Sequence, residues 1–257
     1  MKLYRGDVVP AKVVHSSPDS KGRTFAKQFW SDGLMAKYID GGTTDLLAKK
    51  DRLQLVLEHV GYVPDSSPQK LAYHSPMLSL SAIPDCAFRY MEHRSGRSLS
   101  RTPCQPLEAS YFVWELDVDL TQLPEQKPGE YLLVYEADPV NCACAIDDEI
   151  ARGVEEEANT GNADPLLSAI GYALSQANVA ADQTEHYALI IDVVRYLDAH
   201  SAELAGRDGQ LVANTYERAT RDSEWLLYPC DPMTDGHGVS AKFWMNRHLK
   251  AVAWFRR

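Results

Sequence analysis

Tyr73-His74-Ser75-Pro76-Met77-Leu78-Ser79-Leu80-Ser81 runs directly into Ala82-Ile83-Pro84-Asp85-Cys86-Ala87-Phe88. The first stretch reads as a strand ending at Ser81. The second opens a helix carrying Ala87, Phe88 and Met91, with Pro84 where a first helical residue belongs. Outward from this junction the chain is rich in strands. Leu3 to Val9 reads as a short strand. Tyr111-Phe112-Val113-Trp114-Glu115-Leu116-Asp117-Val118 alternates apolar and polar residues at its end, as a half-buried strand does, and Glu130 to Tyr135 is a second such strand. Pro124 to Gly129 connects them as a turn. Strand signals return at Glu224 to Tyr228 and at Leu249 to Phe255. Thr44 is positioned to cap a helix across 45–60, where Leu46, Leu47, Leu53, Val56, Leu57 and Val60 recur at helical spacing. From Ile146 to about Gly206 the period changes, and segments near 147–158, 165–178 and 185–204 look helical. The pattern predicts one α+β domain spanning 1–257, strand-rich and interrupted by a helical insert at 145–210.

Length and charge bound the function. A chain of 257 residues is one large or two small domains, and 45% hydrophobic with 24% charged residues is ordinary globular composition. The formal net charge is −10, which excludes a general polybasic membrane binder and a protein that coats nucleic acid through overall charge. The block 145–210 holds 13 acids and 3 bases, so it carries the whole net charge and the remainder is neutral. Such asymmetry suggests an insertion or a partner surface. The five cysteines, Cys86, Cys104, Cys142, Cys144 and Cys230, are odd in number and scattered, unlike a secreted disulfide framework. No signal peptide and no run of 18 apolar residues is visible. The expectation is a protein of a reducing cytoplasm, its own or a host's.

Three local patterns invite different readings. Gly236-His237-Gly238-Val239-Ser240-Ala241 matches a dinucleotide-binding glycine pattern but lacks the strand–helix–strand context that gives the pattern its mechanism. Cys142-Ala143-Cys144 has no second cysteine pair to complete a zinc site, and no metal is expected. Glu155-Glu156-Glu157 reads as a solvated helix face.

Three separated fragments point to one chemistry. Leu3-Tyr4-Arg5-Gly6-Asp7 opens the chain, Ser79-Leu80-Ser81 ends a strand with Ala87 six positions on, and Asp222-Ser223-Glu224 precedes Trp225-Leu226-Leu227-Tyr228. Arginine, then a Ser-x-Ser strand, then acid-x-Glu is the order of the arginine–serine–glutamate class of mono-ADP-ribosyltransferases. The chain resembles the catalytic subunits of cholera toxin and heat-labile enterotoxin in particular. The likeness extends through Ser31 to Met35, Asp40 to Thr43, Leu57-Glu58-His59 and Tyr131 to Pro139. It covers 1–140 loosely and resumes at about 215–257; the block 145–210 has no counterpart in it.

The resemblance implies a split β-sandwich that binds NAD as substrate in the cleft between its sheets. ADP-ribose transfer breaks the bond between nicotinamide and ribose through an oxocarbenium-like transition state, as glycoside hydrolysis does. Nicotinamide leaves readily without a general acid. A carboxylate that grips a ribose hydroxyl and stabilises developing positive charge is what helps. The family's glutamate falls on Glu224, its phosphate-contacting or bracing arginine on Arg5, and its two serines on Ser79, which orients the glutamate, and Ser81. His59 stands where the toxin subunits carry an active-site histidine, at a different spacing to the serines. Asp222 is a departure: the position two before the glutamate is Glu in arginine-modifying members and Gln in several others, and it helps activate or recognise the acceptor. Aspartate reaches less far, so an arginine acceptor is not assumed.

The resulting expectation is an intracellular toxin or effector that ADP-ribosylates a protein. The cluster Arg89, Arg94, Arg97 and Arg101 keeps a nucleic-acid acceptor open, as in toxin–antitoxin or phage-defence enzymes. Two further classes stay open: an NAD glycohydrolase, with water as acceptor, and a catalytically silent binding module. The acidic block is a candidate surface for an antitoxin or regulator. No membrane partner is expected.

Overall fold

The computed structural model describes residues 1–9, 34–37, 51–61, 75–96, 98–104, 108–136, 185–229, 232–234, 239–243 and 248–256, together with Val14, His15, Ser17, Glu156 and Thr160. It is an α+β protein. In chain order the elements are β1 (Lys2–Val8), β2 (Leu34–Lys37), α1 (Arg52–Gly61), β3 (Leu78–Ser81), α2 (Pro84–Ser95), β4 (Tyr111–Asp117), β5 (Glu125–Lys127) and β6 (Glu130–Glu136). There follow β7 (Glu185–Asp192), α3 (Val193–Ala199), α4 (Ser201–Leu204), α5 (Gly209–Asp222), β8 (Glu224–Pro229), β9 (Pro232–Thr234), β10 (Val239–Phe243) and β11 (Leu249–Phe255).

Eight strands form one antiparallel sheet in the order β11-β4-β1-β3-β8-β7-β6-β5, and three form a second in the order β2-β10-β9. β1 pairs with β4 over its whole length, from Lys2 opposite Asp117 to Val8 opposite Tyr111. With β3 it shares one register position, Tyr4 opposite Ser81. β8 is flanked on both sides: Ser81 lies opposite Glu224, and Asp192 opposite Trp225.

The expected strands at Leu3–Val9, Tyr111–Val118, Glu130–Tyr135, Glu224–Tyr228 and Leu249–Phe255 are present within a residue or two, as is the helix that opens at Pro84. The turn read at 124–129 holds the short strand β5, hairpinned onto β6. The helix read across 45–60 is present from Arg52; its first part and the Thr44 cap lie outside the described residues.

The segment 185–204 departs from expectation. It begins as strand β7, and helix starts only at Val193. Ala188-Leu189-Ile190-Ile191 is buried on both faces of the sheet: Ala188 and Ile190 enter one apolar cluster, Leu189 and Ile191 another. A strand with two buried faces shows no alternation and reads like a buried helix. The helical insert therefore does not extend to 210, because from Glu185 the chain belongs to the main sheet. The helices read at 147–158 and 165–178 lie outside the described residues, as do the Cys142/Cys144 pair and the Gly236–Gly238 loop. Several acids of this block have local duties. Asp192 caps α3 by accepting from Arg195 N, Asp208 caps α5 by accepting from Gln210 N and Leu211 N, and Asp198 accepts from the Tyr216 hydroxyl at 3.0 Å.

Three apolar clusters build the core. Leu3, Leu80, Trp114, Tyr135 and Leu227 cover one face of the large sheet, and Leu34 and Phe243 of the small sheet close over it. The other face is covered in two pieces. Leu226 and Ile191 pack under α1, α3 and α5 through Leu57, Tyr196 and Ala219. Tyr111, Val113 and Phe255 pack under α2 through Ala87, Phe88 and Met91. Two sets of ion pairs tie the elements together. Both oxygens of the fully buried Glu130 carboxylate accept from Arg52 Nη1, at 2.7 and 2.9 Å. Buried Glu115 takes Lys2 and Lys250 at 3.1 Å each, joining β1, β4 and β11. Among the described residues no helix is long and apolar enough to cross a membrane.

The glycine of the Tyr4-Arg5-Gly6 run has a packing cause. A Cβ there would strike the Ala87 carbonyl and lie 2.5 Å from Met91 Cγ, so α2 can lie against β1 only because residue 6 has no side chain. Gly6→Ala should destabilise the protein by about 1–3 kcal/mol, read as a lower urea midpoint in equilibrium unfolding; an unchanged midpoint would contradict this packing.

Candidate active site

Ser79 and Ser81 sit two residues apart on β3, opposite Leu226 and Glu224 on β8. Side chains of antiparallel partners point to the same side, so these four share one face. Leu226 belongs to the cluster under α1, α3 and α5, whereas Tyr4, opposite Ser81, packs toward the cluster under α2. Both serines and Glu224 thus lie at the seam between the two helical covers, outside the apolar clusters formed by the described residues.

The turn that delivers Glu224 has an unusual backbone. α5 ends at Asp222, Ser223 adopts the left-handed conformation at φ 44°, and Glu224 begins β8. For a residue with a Cβ this conformation is costly and must be held by its surroundings. The turn after β3 does the holding. Ala82 N donates to the Ser223 carbonyl at 3.1 Å, and the Ser81 hydroxyl donates to the Asp222 carbonyl at 2.5 Å while accepting from Ile83 N at 2.9 Å. The Ser81 hydroxyl is committed to backbone and sews one turn to the other.

α1 supplies His59. Gly61 lets α1 and α5 approach closely: a Cβ there would strike Thr215 Oγ1 and lie 2.7 Å from the Leu211 carbonyl. The C-terminal end of α1 therefore packs against the first half of α5. His59 Nε2 lies 2.9 Å from Ser79 Oγ, and Nδ1 lies 2.6 Å from Ser75 Oγ. Ser79 and Glu224 stand diagonally across the β3–β8 pair on that face, near enough for the Ser79 hydroxyl to favour the charged Glu224 carboxyl. Arg5 comes from β1. Its Nη1 donates to the Ser79 carbonyl at 2.9 Å, a side-chain bridge next to the single register position joining β1 to β3. Its Nε is buried and makes no hydrogen bond to the described residues; Asp7 Oδ2 is 3.9 Å away. The guanidinium also lies 5.6 Å from the centre of the Tyr90 ring, within cation–π range.

Arg5 and His59 are thus both hydrogen-bonded to Ser79, Glu224 shares its face of the sheet, and Asp222 stands at the rim. The hydrogen bond from Arg221, at 2.8 Å, holds the Asp222 carboxyl below the usual range despite partial burial, and Arg89 is 3.7 Å away. Two participants were not anticipated. Ser75 precedes its strand without any local pattern that marks it. Arg218, whose charge acts on Glu224, lies on α5, whose helical character was not expected from the sequence. Its position four residues before Asp222 is the signal that was available. Among the described residues no three His, Cys, Asp or Glu side chains gather as a metal site requires.

The electrostatics follow from enclosure. Glu224 keeps a partly exposed edge, but burial pushes its pKa up to about 7; the Ser79 hydrogen bond opposes this, and the Asp222 charge adds to it. Burial and the nearby Arg5 cation bring His59 down to about 4, so the imidazole is neutral at physiological pH. The site therefore has a carboxyl poised between its two forms, a neutral imidazole, and a guanidinium with an uncommitted donor. That set can stabilise a developing cation next to an anionic group. It is poorly suited to activating a nucleophile by proton abstraction onto histidine.

Comparison with known proteins brings no match: no family model, no curated protein and no solved structure is similar to the chain.

Because the folded-state pKa of Glu224 is raised, its contribution to stability is full below the unfolded-state value and is lost as pH rises through about 7. Replacing it should recover that loss. Glu224→Gln should gain stability relative to the parent between pH 5 and pH 8, by on the order of 2–3 kcal/mol, in urea unfolding at the two pH values. Equal differences at both would mean that the carboxyl is not enclosed as described.

Proposed function

We propose that this chain is an NAD-dependent mono-ADP-ribosyltransferase on the split β-sandwich of the arginine–serine–glutamate class, and that it modifies a protein. One observation carries the reading: four separate elements bring Arg5 and His59 into hydrogen bonds with Ser79 and place Glu224 beside it on the same sheet face. A structural role alone does not call for a half-ionised carboxylate at the start of a central strand.

In this reading Glu224 acts as the carboxylate. It accepts a hydrogen bond from a ribose hydroxyl and stabilises the positive charge that develops as the bond between ribose C1′ and the nicotinamide nitrogen breaks. The bonding pair leaves with nicotinamide. The acceptor's nucleophile forms the new bond to C1′ and loses its proton. Ser79 holds the carboxylate in place, and His59 holds Ser79. Arg5 fits the dinucleotide phosphate, since its buried Nε has no hydrogen bond among the described residues and a guanidinium suits a bidentate grip on phosphate. Asp222, beside Glu224 and between Arg221 and Arg89, faces the acceptor.

The Ser75–His59–Ser79 series also has the outline of a hydrolase, with Ser79 as nucleophile. The His59 imidazole argues against it. A general base must become a cation, and burial together with Arg5 disfavours that charge. For the acceptor, a protein is favoured over nucleic acid because two members of the arginine cluster are already paired. Arg101 lies 2.6 Å from Asp85, and Arg89 lies near Asp85 and Asp222.

The test is labelled NAD added with the protein to a cell lysate. Label should pass to material sensitive to protease and resistant to nuclease. Glu224→Gln should reduce labelling on the order of a hundredfold or more. Nuclease-sensitive product would move the acceptor to nucleic acid. Rapid nicotinamide release by the pure protein without labelling would make it a glycohydrolase. Labelling unchanged by Glu224→Gln would overturn the assignment. With Glu224 at about 7, kcat/KM should rise with pH through neutrality and level off above it, as the ionised carboxylate fills.

A further inference from the structure

The rim of the site carries a row of alternating charges. Arg101 Nη1 lies 2.6 Å from Asp85, Arg89 Nε lies 3.8 Å from Asp85, Arg89 Nη2 lies 3.7 Å from Asp222, and Arg221 Nη2 lies 2.8 Å from Asp222. The row crosses from α2 to the last turn of α5 and ends two residues before Glu224. Its three arginines and two aspartates leave one positive charge in excess.

A guanidinium acceptor would need a carboxylate to pair with at this rim, and Asp222 is occupied. Arg221 Nε donates to one of its oxygens at 3.1 Å and Arg221 Nη2 to the other at 2.8 Å. That is the two-pronged grip an arginine from outside would make. A substrate arginine would have to displace it and bring a further cation beside Arg89 and Arg221. A carboxylate meets the opposite condition, because both of those guanidinium groups are half exposed and attract it. One unit of excess charge suits a single carboxylate. It offers little to a phosphate backbone, which is held by many cations at once.

A proton count points the same way. A nucleophile that reaches ribose C1′ with its proton still attached needs a base. Both ring nitrogens of His59 are engaged, by Ser75 and Ser79. The Arg221 hydrogen bond holds the Asp222 carboxyl below its usual range, which makes it a weak base. Glu224 serves the ribose in the transferase reading. A carboxylate is already ionised at neutral pH and needs none of them.

We propose that the acceptor is an aspartate or glutamate side chain of a protein, and that Arg221 and Arg89 select it. The inference rests on the transferase reading. An acceptor carboxylate oxygen gives a lone pair to C1′, and the pair of the C1′–N bond leaves with nicotinamide. The carboxylate charge and the nicotinamide ring charge are both cancelled, giving an ADP-ribosyl ester and neutral nicotinamide. No proton moves, because the one that other nucleophiles would shed is already gone.

The test treats lysate protein labelled from NAD by the parent enzyme with neutral hydroxylamine. That reagent attacks an acyl ester and releases the ADP-ribose, whereas it leaves a glycosidic link to arginine in place over the same time. Most of the label should be released, and mass spectrometry should place it on aspartate or glutamate. Label on arginine or on any other side chain, or on nucleic acid, would overturn this inference and leave a transferase standing. Absence of transfer to any macromolecule would overturn both. Arg221→Ala should lower the initial rate of protein labelling on the order of tenfold. Arg221→Lys, which keeps the charge, should restore most of it. Added salt should slow the parent more than Arg221→Ala. An Arg221→Ala protein that labels as fast as the parent would overturn the selecting role of Arg221.

Discussion

The register that sets Ser81 opposite Glu224 governs the site. In a sheet the side-chain period is two, so a slip of one residue would turn Glu224 and both serines to the opposite face. That face is closed by Leu80, Trp225 and the small sheet, and a carboxylate there would have no partner. The register is held at both ends. Apolar residues on either side of Glu224 and Ser79 fit only one phase, and the Ser81 hydroxyl and Ala82 N bind the turn after β3 to the turn before β8. The left-handed Ser223 is stable in this setting because its carbonyl has a donor waiting. A rigid turn would suit the role proposed for this carboxylate, since a loosely held one would have to be ordered in each turnover.

The charges of the molecule fall into two classes that their surroundings distinguish. Glu130 and Glu115 are buried carboxylates, and each is met by cations at hydrogen-bond distance: Arg52 for one, Lys2 and Lys250 for the other. Such pairs fix how elements dock and leave no capacity for a ligand. For Glu224 the Ser79 hydroxyl and the fields of Arg218 and Arg5 favour the charged form, against burial and the Asp222 charge. Its ionisation is thus disfavoured where that of Glu130 is matched. The protein gives up stability at neutral pH to keep that carboxyl under-compensated, and sites that do so are where function concentrates.

Much of the framework was legible locally. β4, β6, β8 and β11 show strand character within their own residues, and Pro84 marks the start of α2 because a missing N–H costs nothing at that position. β7 was not legible: its two buried faces erase alternation, and only pairing with β6 and β8 reveals it as a strand. Arg5, Ser79, Glu224 and His59 could be named from the sequence by motif order, yet nothing in that order says they touch. Ser81 and Ser79 look equivalent as a Ser-x-Ser pair. The Ser81 hydroxyl is spent on backbone and the Ser79 hydroxyl on His59, a difference made by what each happens to face.

The sequence by itself determined the mixed α+β class, most strand positions and the cast of polar residues, because these depend on neighbours within a few positions along the chain. The tertiary structure alone decided that burial pushes Glu224 up and His59 down, and that His59 stands between Ser75 and Ser79. Those properties arise from desolvation and from contacts between β1, α1, β3 and β8. Elements far apart in the chain create them only when they close over the same few atoms and exclude water.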